Sequence, residues 1–501
     1  MTIDHIALLP AYCAAGTAVL AFLAEIVAPG RRAPALTATM LGTIVTGLAA
    51  GLVYRDGARS TFCVPVGCSY EWDGTATLVG VLFAVATLVV AALSVPVLRS
   101  GSVPAGEYCF LLACSLTGGV VLGASRDLIT LVIALETLTL PLFVLVGLRR
   151  RRAESAEAAV TFFVVSVVAT AVTLLGVALL YGATGTVHLD GLARALADRT
   201  GLVSVPLVGA AVVLVLVGFA FKLAAVPFHA WAPATYDGAP LPVAAYLSTA
   251  SKLGGVVALL VVGVGALGGW LDVAGPAFAV MAVLTMTVGN LVALRQRRMV
   301  RLLAWSSVAQ AGYILAPLGA LASAGGRADL GLAVSAVLAY TVFYILLELG
   351  AFGAVVALRG AEDGGRLDDY KGTARRHPWL TTAFVLALAG LAGLPPGLAG
   401  LFAKVAVVRA LLGGAAGWLA IVVALNAVVG LAYYVRAALA LFARPDPVAV
   451  SGDGRGPGDR RAPAARRIRV PLAVGLAVAA VTIAALVVGF APQLVLDAVH
   501  L

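Results

Sequence analysis

Long apolar runs recur along this 501-residue sequence, and each is close to the length needed to cross a lipid bilayer. A helix of about 20 apolar residues spans the ~30 Å hydrocarbon core. Hydrophobic residues make up 61% of the sequence and charged residues only 12%, which excludes a soluble globular protein of this length. The runs also lack the alternation of polar and apolar residues that barrel strands show. The sequence therefore predicts an all-α, polytopic membrane protein.

We expect about fourteen transmembrane helices, in a multi-pass protein of the bacterial inner (plasma) membrane. The predicted spans are 5–28, 35–54, 75–98, 106–124, 128–148, 157–181, 203–226, 240–264, 274–293, 302–322, 330–358, 378–410, 416–442 and 470–492. Arginines cluster in alternate loops, and these loops lie inside if the N-terminus is external. Because fourteen is even, both termini are then external. The same loops explain the net charge of +10, so we expect the lipid bilayer and no nucleic acid as a partner.

Helix-breaking prolines interrupt one span in each half of the sequence. Span 203–226 ends at Pro227, and span 378–410 contains Pro395 and Pro396. Matching interrupted helices in two halves indicate an inverted-repeat transporter core with its ion site near the breaks. We predict two inverted five-helix repeats within this division: N-terminal helices 1–3 over 1–105, the first repeat over 106–264, the second over 274–442, a cytoplasmic linker over 443–469 and a C-terminal helix over 470–501.

Lysine usage points to chemistry inside the membrane. The sequence has four lysines beside thirty arginines, and Lys222, Lys252 and Lys404 lie in apolar segments. An arginine stays charged at any biological pH, whereas the pKa of a lysine responds strongly to burial and to neighbouring charge. An ionisable residue at membrane depth is costly and marks a functional site. These three lysines are therefore predicted to transfer protons.

Two carboxylates and one histidine accompany the lysines. Glu136 lies in the middle of its span, and Lys222 is its natural partner; a static structural ion pair is the alternative. Glu348, in the run LLELGAFG, is a tentative member of the site. His229 follows Pro227 and either relays protons between the lysines or caps the broken helix.

No nucleotide loop, haem motif, metal-ligand pattern or iron–sulfur spacing occurs in the sequence. The energy for any transport must therefore come from an ion gradient or from a partner. Cys63 and Cys68 share one loop and would form a disulfide if that loop is external. The sequence leaves that pairing open.

Several stretches resemble the subunit N family of bacterial NADH-quinone oxidoreductase (respiratory complex I), an antiporter-like membrane subunit family. The resemblance covers about residues 75–440 and favours subunit N over subunits L and M. The stretches that carry it are FKLAAVPFHAWAPATYDGAPLPVAAYLSTASKLG, LETLTLPLFVLVGL, RLLAWSSVAQAGYILAPL, LELGAFG and LAGLPPGLAGLFAKV.

The resemblance implies roles for individual residues. It implies that Glu136 and Lys222 form an ion pair, that Lys252 is the central lysine and that Lys404 is the exit-side lysine. The family often has His where Gln310 stands, so we assign Gln310 no proton role. The family often has Asn at position 348, where this sequence has a carboxylate.

The resemblance also implies a function and its partners. The chain would couple quinone reduction in partner subunits to outward proton transfer. It would hold no cofactor itself, because NADH, FMN, iron–sulfur clusters and quinone would bind to those partners. Neighbouring antiporter-like and small membrane subunits would contact it. The alternatives are a subunit of a cation/proton antiporter or membrane-bound hydrogenase, and a structural scaffold with an inactive channel.

Overall fold

The computed structural model describes residues 3–149, 152–197, 205–444 and 470–499, and the described chain is almost entirely helical. The linker predicted over 443–469 lies outside the described residues beyond Arg444. The helices of the N-terminal part and first half are α1 (Leu9–Val27), α2 (Arg32–Val53), α3 (Gly74–Leu93), α4 (Val95–Ser100), α5 (Ala105–Ala124), α6 (Leu128–Gly147), α7 (Ala153–Thr184), α8 (Leu189–Ala197), α9 (Val205–Lys222), α10 (Trp231–Gly238), α11 (Leu241–Ser248) and α12 (Ala250–Ala258).

The second half continues the same architecture. A π-helical segment, Leu259–Ala266, extends α12. The remaining helices are α13 (Leu271–Ala293), α14 (Met299–Gly319), α15 (Ala324–Ala328), α16 (Leu330–Arg359), α17 (Thr373–Arg376), α18 (Pro378–Ala392), α19 (Leu398–Gly413), α20 (Gly417–Phe442), α21 (Leu472–Phe490) and α22 (Gln493–Val499). Short 3₁₀ turns at Tyr54–Asp56, Gly268–Trp270, Ala320–Ala322 and Leu367–Tyr370 connect some of them.

Twelve helical segments in the described residues are long and apolar enough to cross a membrane, and each coincides with a predicted span. One of them, Leu241–Ala266, combines α11, α12 and the π-helical segment. The other two predicted spans are also helical. Over 302–322 lies α14, which carries polar side chains on its buried faces. Over 378–410 lie α18 and α19, each too short to cross alone. The two interrupted spans are therefore α9–α10 and α18–α19.

One segment differs from the prediction. The predicted spans 203–226 and 240–264 leave residues 227–239 as a connecting loop, but Trp231–Gly238 forms helix α10, which packs against α7 and α14. The side chains of Trp231 and Tyr236 are buried, so this segment is the second half of the broken span. The prolines and the Tyr236-Asp237-Gly238 sequence favour a turn locally. Packing of the aromatic side chains overrides that local preference.

The region between α2 and α3 forms a hairpin that we did not predict. Strands β1 (Arg59–Val64) and β2 (Gly67–Trp72) are antiparallel, and Cys63 and Cys68 form a disulfide across them. The hairpin is joined to the start of α6 because the Arg126 amide donates to the Ser69 carbonyl at 2.9 Å. In the segment between α7 and α9, residues Leu189–Ala197 form the short helix α8.

Small residues let the helices of the first half approach closely. At Gly118 of α5, an added Cβ would lie 2.2 Å from the backbone nitrogen of Leu138 on α6. Ser115 Oγ donates to the Leu138 carbonyl at 2.7 Å across the same contact. Small residues allow this backbone approach in membrane helices, where packing and hydrogen bonds drive association. The contact fixes α6, and therefore Glu136, against α5.

We predict that Gly118→Ala destabilises the protein, because the new methyl group would overlap the α6 backbone rather than a movable side chain. Overpacking of this kind costs about 1–3 kcal/mol. The measurement is the thermal stability and yield of the purified protein in mild detergent. Gly182→Ala on α7 is the control, since nothing lies within 4 Å of a Cβ there. Equal losses in the two variants would contradict the prediction.

Candidate functional site

The first break is a turn between α9, which ends at Lys222, and α10. Neighbouring groups bind the backbone around it. The Trp231 indole nitrogen donates to the Phe221 carbonyl at 3.2 Å. The Val226 amide donates to Thr285 Oγ1 of α13 at 2.9 Å. An interrupted helix at membrane depth requires such partners for its freed backbone groups.

Lys222 donates three hydrogen bonds from its ammonium group. The acceptors are Glu136 Oε1 at 2.9 Å, Thr139 Oγ1 at 3.1 Å and Ser166 Oγ at 3.2 Å. Thr170 Oγ1 donates to the same Glu136 oxygen at 2.8 Å. The Lys222 side chain is 6% exposed and that of Glu136 is 22% exposed. Each ammonium proton therefore has an acceptor, and the structure forms the expected ion pair.

The position of Lys222 along the neighbouring helix α7 gives its depth. The last residue of α10, Gly238, lies beside the start of α7, because a Cβ added there would lie 2.8 Å from the Glu154 carbonyl oxygen. Ser166, which binds Lys222, lies twelve residues further along α7, a distance of about 18 Å at 1.5 Å per residue. Lys222 is therefore deep within the helical bundle and far from the α7 terminus.

Lys252 is 1% exposed and follows a second irregularity in the chain. Helices α11 and α12 meet at Thr249, whose backbone angles are −116° and −78°. The Lys252 ammonium group donates to the backbone carbonyl of Ser307 on α14. On the same helix, a Cβ at Gly255 would lie 2.9 Å from the Leu223 nitrogen, so α12 packs directly on the first break.

Glu348 lies on α16 with 0% exposure, and neither carboxylate oxygen has a hydrogen-bond partner among the described residues. Among the described residues, no hydrogen bond or ion pair joins it to Lys252. One helical turn before it, the Tyr344 hydroxyl donates to the Ser248 carbonyl at 2.7 Å and is 2.8 Å from Ser307 Oγ. Lys252 and Glu348 thus share one buried cluster around Ser307.

Lys404 lies just after the second break and binds the backbone of the helix before it. Its ammonium group donates to the carbonyls of Leu391 at 2.9 Å and Ala392 at 2.6 Å. It also lies 5.4 Å from the centroid of the Tyr313 ring, within the range of a cation–π interaction. The Gln310 amide donates to the same Leu391 carbonyl at 3.0 Å. One backbone oxygen therefore joins Lys404 to α14.

Gln310 is the centre of a hydrogen-bonded group that sequence reasoning missed. Its Nε2 donates to the Tyr434 hydroxyl at 2.9 Å, and its Oε1 accepts from the Tyr340 hydroxyl. The Tyr434 hydroxyl is also hydrogen-bonded to Ser306 Oγ. We assigned Gln310 no proton role because it does not titrate, yet it connects Ser306 to Lys404. The signal was present as polar residues one turn apart in the apolar helix α14.

His229 does not lie between the lysines in a hydrogen-bonded chain. Its ring packs 5.2 Å from the ring of Trp305, centroid to centroid. Its Nδ1 is buried with no hydrogen-bond partner among the described residues. Among the described residues, no hydrogen bond joins His229 to Lys222 or to Lys252. A relay role for His229 stays a prediction, and the observed contact is with α14.

The row of polar groups is therefore organised on α14, which faces both broken spans. Within the described residues, no direct hydrogen bond joins Lys222 to Lys252, or Lys252 to Gln310. Lys252 contacts α14 at Ser307, and Lys404 contacts it through the Leu391 carbonyl shared with Gln310; these two gaps separate the three lysines. Side-chain hydroxyls and backbone carbonyls supply most of their acceptors. Such an arrangement can hold a proton at each lysine and pass it on when the acceptors rearrange.

Comparison with known proteins identifies the family. Residues 125–430 match the family described as NADH:quinone oxidoreductase/Mrp antiporter, TM. The chain is 60% identical to NADH-quinone oxidoreductase subunit N of Salinispora tropica, over 99% of this chain and 98% of that protein. The chain belongs to the subunit N family. The resemblance noted in the sequence is thereby confirmed.

Solved structures agree with this family and with the all-α membrane fold. A chain of respiratory complex I from Thermus thermophilus with bound aureothin is 29% identical to this subunit N homologue. It aligns with a TM-score of 0.77, over 97% of this chain and 98% of that one. A chain of the Mrp complex from Dietzia sp. aligns with a TM-score of 0.82 at 23% identity, over 99% and 97%. At that identity, the second likeness shows the shared fold alone.

We predict that Gln310→Leu impairs proton pumping, since it removes the side-chain link between Tyr434 and the carbonyl that binds Lys404. It also leaves buried hydroxyl groups with fewer partners, at about 1–3 kcal/mol for each unsatisfied group. The measurement is proton uptake into vesicles that contain the assembled complex, relative to its electron-transfer rate.

Gln310→His is the matched variant, because an imidazole retains a donor and an acceptor at this position. We expect it to keep a larger share of pumping than the leucine variant. If leucine and histidine variants pump equally well per electron transferred, Gln310 has only a packing role.

Proposed function

We propose that this subunit N homologue carries protons across the inner membrane for an NADH-quinone oxidoreductase. Quinone reduction in partner subunits supplies the energy, and NADH, FMN, iron–sulfur clusters and quinone bind to those partners. Other membrane subunits of the complex, including antiporter-like and small ones, flank the chain. The observation that supports this proposal is the row of lysines beside the two interrupted helices: Lys222 binds three side-chain acceptors, Lys252 one backbone carbonyl and Lys404 two.

The first proton-holding group is the pair of Glu136 and Lys222. Glu136, Thr139 and Ser166 stabilise the charged ammonium group of Lys222 while the pair is closed. Glu136 is partly exposed, so a change in a neighbouring subunit can reach it. Moving or protonating Glu136 weakens the stabilisation of the charged lysine, and Lys222 then releases its proton toward Lys252.

The central group is Lys252 with Glu348. In a low-dielectric interior, the charges of two such buried groups depend strongly on each other. Proton arrival at Lys252 and proton exchange at Glu348 are therefore coupled. On α14, Gln310 helps to position Lys404, because both side chains donate to the Leu391 carbonyl.

Lys404 is the proposed exit-side group, and the direction of transport follows from the predicted orientation with both termini external. The two interrupted spans belong to the two proposed repeats, 106–264 and 274–442, so each repeat contributes one break and one lysine beside it. His229 is a possible relay only if its ring leaves Trp305.

The competing functions make different predictions. A cation/proton antiporter subunit has the same fold, but the 60% identity to a subunit N favours the oxidoreductase. An inactive scaffold would use the Glu136–Lys222 pair only as a structural contact. A buried ion pair is weak evidence for stability, because its desolvation penalty can exceed the Coulombic gain. Substitution of the lysines separates these readings.

We predict that Lys222→Met and Lys252→Met each abolish most proton pumping by the assembled complex, because an unbranched apolar side chain cannot hold a proton. The measurement is pH change inside proteoliposomes during NADH oxidation, together with subunit content of the purified complex. An inactive scaffold would leave pumping intact in both variants.

Lys371→Met is the matched control. Lys371 lies in a connecting segment, where its ammonium group pairs with Asp368 at 3.0 Å. Asp368 is exposed and Lys371 partly exposed, and a pair near the surface contributes about 0–1 kcal/mol, so assembly and pumping should be unchanged. Loss of pumping in this variant as well would indicate a general defect rather than a proton path.

We predict that Glu348→Gln lowers the pumping rate while the complex still assembles, because an amide keeps the volume of the carboxyl group but cannot exchange a proton. Proteoliposome pH change at several external pH values checks this. Pumping that matches the unmodified complex at every pH would remove Glu348 from the path.

A further inference from the structure

A long apolar groove runs along the outer surface of the second broken span. It lies between α19 and α20 and encloses about 760 Å³. Along α19 it extends from Leu401 to Leu412, about 16 Å at 1.5 Å per residue. Its other wall includes Ala427 and Val428 of α20. This length is close to one leaflet of the ~30 Å hydrocarbon core.

The groove faces the surroundings of the subunit. Val405 and Leu412 on one wall are 52% and 61% exposed, and Val428 on the other is 68% exposed. Both helices lie at membrane depth in the predicted topology, so this side contacts hydrocarbon or another membrane chain. An exposed apolar groove of this size is a candidate binding site.

Arg409 is the charged residue near one end of the groove. It is exposed and lies one helical turn before Gly413, where α19 ends. Among the described residues, it has no carboxylate within ion-pairing distance. A smaller apolar cavity, lined by residues such as Phe402 and Leu496, lies on its other side. A guanidinium group near the end of a membrane helix extends to the headgroup layer and binds phosphate well.

Lys404 lines the deeper part of the same groove, while its ammonium group binds the carbonyls of the second break. The ammonium group of Lys404 is therefore directed into the protein, and its aliphatic stem lies along the groove. An apolar chain in the groove would cover that stem and separate the lysine from the bilayer.

We propose that one anionic phospholipid binds here, with its phosphate on Arg409 and an acyl chain along α19 over the stem of Lys404. The charge of Arg409, its position near the helix end and the one-leaflet length of the groove all fit this ligand. A transmembrane helix of a partner chain is the alternative occupant, and the experiment below distinguishes it from lipid. On the predicted orientation, the lipid belongs to the outer leaflet.

Photo-crosslinking on the assembled complex tests the site. The complex is placed in nanodiscs of phosphatidylcholine that contain a small fraction of phosphatidylglycerol with a photoactivatable acyl chain. Mass spectrometry then locates the labelled peptides. We expect labelling in the peptides that cover 401–412 and 423–431, and about fivefold less in Arg409→Gln, as one basic residue near the lipid surface predicts. Arg409→Lys should retain intermediate labelling.

Two further variants separate the outcomes. Ala427→Phe fills the groove and should also reduce labelling, while Arg327→Gln, an exposed arginine bound to the Leu321 and Ala322 carbonyls, should not. Equal labelling in Arg409→Gln and the unmodified complex would overturn the proposal. So would equal labelling by a phosphatidylcholine probe, or crosslinks from these peptides to a partner chain instead of lipid. The readout does not depend on proton pumping.

Discussion

Lys222 can keep a charge deep in the helical bundle because Glu136, Thr139 and Ser166 all accept hydrogen bonds from its ammonium group. Much of the surrounding fold serves to bring these acceptors together. Glu136 and Thr139 lie on α6, which α5 holds at the close contact around Gly118. Ser166 lies on α7, and α9 is interrupted directly after Lys222. The cost of an unsolvated charge therefore fixes the relative positions of several helices.

The three lysines satisfy the same requirement in different ways. Lys222 has a carboxylate partner, Lys252 binds a backbone carbonyl and lies near Glu348, and Lys404 binds two carbonyls. A carboxylate thus balances the positive charge at Lys222, whereas backbone carbonyl dipoles stabilise it at Lys404. A proton passing along the row would meet a graded series of environments. The helix α14, through Ser307 and Gln310, connects the second and third of them.

Much of the fold followed from apolar runs alone, since twelve predicted spans coincide with helices long enough to cross a membrane. The Glu136–Lys222 contact was also predictable, because each buried charge required an opposite one. Helix α10 was not, since Tyr236-Asp237-Gly238 favours a turn until the burial of Trp231 is known. The hairpin that carries Cys63 and Cys68 was missed because a short polar segment between two spans has many possible conformations.

The acceptors at Lys404 are main-chain oxygens of Leu391 and Ala392, and this has a genetic consequence. Any residue that keeps the same backbone conformation at these two positions presents the same pair of oxygens. Substituting either side chain therefore leaves both carbonyl acceptors in place, so a mutational scan would overlook them. The chemistry is encoded by the shape of the break, and sequences can drift at both positions while the lysine keeps its partners.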